Sequence, residues 1–107
     1  MNAKDKASYP AIRNPDRCPS HPGEIIADIL RDLAKSKTEI AQILGISRQH
    51  LYDILGSHKP VSPNVAVRIA KAFGGSAESW LRIQAAYDAW HAEREVDVSE
   101  ITPLVAA

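Results

Sequence analysis

The sequence predicts an all-α chain of five helices. Apolar residues recur at helical spacing in five stretches between Ile25 and Trp90. Serine or proline stands at the start of each stretch, and glycine follows three of them, at Gly45, Gly56 and Gly74. Alternation of the strand kind is confined to Val96 and Val98, which would allow one short strand in the tail.

The first helix is expected from about Pro22 to Leu33. Proline suits the first turn, where its missing N–H has no partner to lose. Ile25, Ile26, Ile29, Leu30 and Leu33 form its apolar stripe. Ser36 then precedes Glu39 by three residues, a capping-box pattern that opens a second helix reaching Leu44. That helix buries Ile40, Ala41 and Leu44, and Gly45 supplies the left-handed residue that ends it. Ile46 plugs the core, and Ser47 caps a third helix over Arg48–Leu55 that buries Leu51, Ile54 and Leu55. Ser62-Pro63 opens a fourth helix, with Val65, Ala66, Ile69, Ala70 and Phe73 inward and Gly74-Gly75 as its stop. Ser76 caps a fifth helix running to about Arg94. The expected organisation is an extended or disordered arm over 1–21, one helical domain over 22–95 and an acidic tail over 96–107.

Composition limits what such a domain does. A chain of 107 residues with 45% hydrophobic content suits one domain with a thin core. No apolar run is long enough to span a membrane, and no apolar leader is present at the N-terminus. Cys18 is the single cysteine, so a reducing cytoplasm is the expected location. The four histidines, His21, His50, His58 and His91, match no zinc-ligand spacing, and no phosphate-binding loop or nucleophile elbow is present. Neither a metal, a cofactor nor catalysis is expected. Net charge is zero, but its distribution is uneven. Lys35, Lys37, Arg48 and Lys59 outnumber Glu39 and Asp53 between positions 35 and 59. Glu93, Glu95, Asp97 and Glu100 face only Arg94 towards the end.

The segment Thr38–Leu55, two short helices about a glycine turn, has the form of a helix-turn-helix. In such a unit the start of the second helix meets the base edges in the major groove. Arg48 suits guanine and Gln49 suits adenine, while His50, Tyr52 and Asp53 share the exposed face. Lys37, Thr38 and Ser47 lie at helix starts, where free amides attract phosphate. Ser57, His58 and Lys59 follow the helix as candidate backbone contacts. The bland alternative is a helical interaction module that never touches DNA, with this face merely solvated.

The fifth helix carries two apolar faces at about 100° per residue. One is Ala77, Leu81 and Ala85; the other is Trp80, Ile83, Tyr87 and Trp90. A small monomer has room to bury one of them. The aromatic face is therefore expected to pair two copies, unless the N-terminal arm covers it. A homodimer would set two recognition helices about 34 Å apart and read an inverted repeat in double-stranded DNA.

Several pieces together resemble the Cro/repressor (XRE-type) helix-turn-helix superfamily, and within it the HigA antitoxins, antidote proteins of plasmid maintenance systems. They are His21-Pro22-Gly23-Glu24, the run Ser47–Leu55, Val61-Ser62-Pro63, Ser79-Trp80-Leu81 and Gln84-Ala85-Ala86-Tyr87-Asp88, spread over residues 19–95. The resemblance implies a homodimer that represses its own promoter and neutralises a HigB/RelE-type mRNA endoribonuclease. A stand-alone repressor of the same fold, without a toxin, is the alternative it leaves open.

Overall fold

A computed structural model describes residues 14–106. Most of the arm expected over 1–21 lies outside the described residues. Five helices follow in order: α1 Pro22–Arg31, α2 Lys37–Leu44, α3 Arg48–Leu55, α4 Pro63–Phe73 and α5 Ala77–Glu95. There is no strand among the described residues, so the option of one at Val96 and Val98 is not taken up.

The serine caps explain why these helices begin where they do. Ser36, Ser47, Ser62 and Ser76 each accept a hydrogen bond from the backbone N–H three residues on. Ser36 and Glu39 complete a reciprocal capping box. Helix α1 departs from this pattern. Its cap is His21, whose Nδ1 accepts the Gly23 N–H at 2.9 Å. The helix also ends earlier than its apolar stripe suggests. Asp32 forms the C-cap, and Leu33 falls beyond the last turn, 40% exposed. With no core surface opposite it, Leu33 has nothing to hold the helix open for another turn.

The core gathers one face from every helix: Ile26 and Leu30, Ile40 and Leu44, Leu51 and Ile54, Val65 and Ile69, then Trp80. Helix α1 packs on α3 closely enough to dictate a residue type. A Cβ at Gly23 would lie 1.8 Å from the Ile54 carbonyl oxygen, so only glycine fits there. Gly74 and Gly75, both at positive φ, turn the chain so that α5 folds back along α4.

That turn decides how α5 meets the core, and it draws one end of the aromatic stripe inward. Trp80 is a core residue, 6% exposed, with its indole N–H donated to the Gly74 carbonyl at 2.9 Å. Ile83 packs against the same core. Tyr87 meets the edge of the buried His21 ring, with centroids 4.9 Å apart. Of the four residues expected to pair two copies, Trp80 is thus buried in the monomer's own core, while Ile83 and Tyr87 are half-buried. Trp90 remains at the rim, where its indole donates to the Pro15 carbonyl at 3.1 Å. The segment before α1 therefore covers part of this stripe.

Candidate nucleic-acid interface

The geometry of the interface begins at the turn between α2 and α3. Gly45 sits at φ 71, ψ 33, the left-handed region that glycine reaches without strain. Ile46 then directs its N–H back to the Ala41 carbonyl at 3.0 Å, which closes the end of α2. A residue from α4 finishes the job. Arg68 donates through Nη1 to the Leu44 carbonyl at 3.0 Å, while its Nε bonds Asn64 at 2.7 Å. The guanidinium occupies the space a side chain at Gly45 would need: a Cβ there would lie 2.6 Å from Arg68 Nη1. The left-handed backbone thus favours glycine here, and any side chain would also have to displace the Arg68 tip from its bond to Leu44.

Helix α3 turns Leu51 and Ile54 into the core and leaves Arg48, Gln49 and Tyr52 exposed on the opposite side. His50 and Asp53 are half-buried beside them. Ser47 is engaged as the N-cap, accepting the His50 N–H at 3.0 Å. The Arg48 guanidinium lies 3.5 Å from the Thr38 hydroxyl, which brings the starts of α2 and α3 together. Lys37 stands exposed beside Thr38. Two helix N-termini and two cations are therefore presented on one side, an arrangement suited to phosphate.

Asp53 organises the far end of this surface. One oxygen accepts from Gln49 Nε2 at 3.0 Å; the other lies 3.6 Å from Lys59 Nζ. The Asp53 backbone carbonyl also accepts the N–H groups of His58 and Lys59, at 2.7 and 3.1 Å. Ser57 reaches φ 61 to make this hairpin bend. Asp53 therefore pairs with a neighbouring amide and cation. Glu39, the other acid of the segment, is spent on its cap, and the Ser36 backbone N–H holds its carboxyl below the ordinary range.

Three residues that sequence reasoning left out of the site hold it in place. Arg68 fastens the turn, as above. Gln84, buried on α5, accepts the Val61 N–H at 2.8 Å and donates to Asp88 at 2.9 Å. His21 is 1% exposed. Burial lowers its pKa, against the opposing pull of the Asp88 and Glu24 carboxylates and the Lys59 backbone. The HPGE and Gln…Asp pieces of the sequence carried the only trace of the last two. No group of three or more His, Cys, Asp or Glu side chains is placed to hold a metal among the described residues.

Comparison with known proteins places this surface inside a helix-turn-helix unit shared with other proteins. Residues 26–80 match the helix-turn-helix family model. An addiction module antidote protein of the HigA family from Coxiella burnetii has 36% identity and a TM-score of 0.67, over 76% of this chain and 98% of that one. The antitoxin HigA of Pseudomonas aeruginosa, solved with the higBA promoter, has 32% identity and a TM-score of 0.70, over 81% and 99%. Among curated relatives, the uncharacterized HTH-type transcriptional regulator YddM of Escherichia coli (strain K12) is 32% identical over 84 residues, 78% of this chain and 89% of that protein.

Proposed function

The chain belongs to the XRE-type helix-turn-helix family, in the branch of the HigA antidote proteins, and from that membership we propose that it is a DNA-binding antitoxin that represses its own operon. The family is one of DNA-binding regulators, not of enzymes. One observation carries the proposal most. The exposed face of α3 offers Arg48, Gln49 and Tyr52 from a backbone shared with a HigA protein that was solved on promoter DNA.

In this reading α3 enters the major groove. Arg48 and Gln49 meet base edges, with His50, Tyr52 and Asp53 flanking them. Lys37, Thr38, Ser47, Ser57, His58 and Lys59 meet the sugar-phosphate backbone and fix the register. Two copies bind together, one to each half of an inverted repeat. The second partner is a HigB/RelE-like mRNA endoribonuclease, which the chain neutralises by binding. Co-expression tests this part. Where a toxin gene lies beside this one, the growth arrest it causes is expected to be relieved by this chain, and the two proteins to co-purify. Arrest that persists with the chain fully expressed would overturn it.

A second reading, a stand-alone repressor without a toxin, is favoured by the likeness to an Escherichia coli protein named only as a transcriptional regulator. A small basic ribonuclease-like reading frame beside the gene supports the first reading, and its absence supports the second.

A further inference from the structure

The first turn of α3, which meets the bases in the reading above, has no buried side chain of its own. Ser47, Arg48 and Gln49 are exposed and His50 is half-buried. The first buried side chain of α3 is Leu51, and the next is Ile54 towards the other end, where the Ile54 carbonyl abuts Gly23. The direction of the first turn is therefore set by the link that enters it, Gly45 and Ile46. Ile46 packs, half-buried, against the core. Gly45 has no side chain to pack.

Arg68 supplies the missing anchor. The N–H groups of Gly45 and Ile46 return to the Gln42 and Ala41 carbonyls, which leaves the Leu44 carbonyl at the negative end of α2 for another donor. Helix α2 has no basic residue in its last turn. Arg68, on α4, provides the cation. Its Nη1 donates to the Leu44 carbonyl at 3.0 Å and to the Gly45 carbonyl at 3.4 Å. Its Nε donates to Asn64 Oδ1 at 2.7 Å, which holds the planar fork at a fixed angle on α4.

We propose that Arg68 is a positioning residue for base reading: by clamping Leu44 and Gly45 to α4, it sets the angle at which Arg48 and Gln49 enter the groove. The inference rests on the DNA-binding reading above and adds to it a residue that meets no base. Arg68 is exposed, so a phosphate contact is the competing role for its charge. The two roles leave different traces. A lost phosphate contact weakens operator and random DNA together and lowers the salt slope by about 1. A lost positioning bond weakens operator binding alone, because base-edge hydrogen bonds carry the preference and phosphate attraction does not.

Binding of the full chain to the DNA just upstream of its own gene and to random DNA, over several salt concentrations, tests this. Arg68→Met keeps the apolar stem and loses every donor. It is expected to lower the ratio of operator to random affinity about tenfold, with affinity and salt slope on random DNA unchanged. Arg68→Lys keeps the charge without the fork and should show a smaller loss of the same kind. Asn64→Ala should shift the ratio in the same direction, and adding it to Arg68→Met should change nothing further. Urea denaturation establishes that each variant is folded under the assay conditions. Should Arg68→Met be unfolded there, Arg68→Lys is read by the same criteria. An unchanged ratio overturns the proposal and leaves Arg68 a stability contact only. Equal losses on both DNAs with a lower salt slope overturn it in favour of a phosphate contact. An unaltered chain without preference for the upstream DNA overturns the DNA-reading proposal itself, and this one with it.

Discussion

Gln84 accepts the Val61 backbone N–H at 2.8 Å, joining positions 23 residues apart and fastening the loop that follows α3 to the long helix α5. Both partners are buried. A buried N–H that loses its acceptor costs about 1–3 kcal/mol. Gln84→Leu fills similar space without an acceptor, so it is expected to lower unfolding free energy by that amount. Urea denaturation followed by circular dichroism measures it. A loss below a few tenths would mean that water replaces the amide.

Among the five glycines, Gly23 is the one where an added methyl comes closest to another atom. Its missing Cβ leaves room for the Ile54 carbonyl, and the obstacle is backbone rather than a movable side chain. Gly23→Ala forces α1 away from α3 at an expected cost of about 3 kcal/mol. Because α3 is the helix displaced, DNA affinity should fall with stability. Thermal melting and binding measured on the same preparation check both effects.

His21 makes stability depend on pH. Burial lowers its folded pKa below the ordinary 6.5. Stability is therefore whole above pH 6.5, and it declines as pH falls towards and through the folded pKa, because the unfolded chain takes up the proton first. Denaturation midpoints at pH 7.5 and pH 5 should differ in that direction. His21→Asn retains a capping side chain but does not titrate, so its contribution to the slope should vanish. An unchanged slope in that variant would assign the effect to other groups.

Arg48 and Lys59 should separate specificity from affinity. Arg48→Ala is expected to lose about 1–3 kcal/mol of preference between operator and random DNA. Lys59→Ala should weaken both about equally and reduce the salt slope by about 1. The Asp53 carboxylate sits between Gln49 and Lys59, so Asp53→Ala should disturb both behaviours at once. Binding titrations on both DNAs at several salt concentrations distinguish the three patterns.

Legibility in the sequence followed the range of the interactions. The four serine caps and the Gly45 turn are local, a few residues wide, and could be read directly from spacing. The exposed face of α3 follows from the same period, since Leu51 and Ile54 define the inside. The failures are long-range. Which side of α5 faces inward depends on the φ values of Gly74 and Gly75, and periodicity carries no record of them. Arg68 reads as a surface cation until α4 is laid beside the end of α2. Gly23 reads as a helix-start glycine until Ile54 arrives 31 positions later. His21 as a buried cap had only the resemblance of its HPGE setting to announce it.

The central claim is that α3 reads DNA. Fluorescence anisotropy of the purified chain on the DNA just upstream of its own gene, against random DNA, at two salt concentrations, tests it most directly. The account predicts tight binding that prefers the upstream DNA, weakens steeply with salt and loses its preference in Arg48→Ala. Equal, weak binding to both DNAs, unaltered in Arg48→Ala, would contradict it and leave the polar face of α3 as a solvated surface.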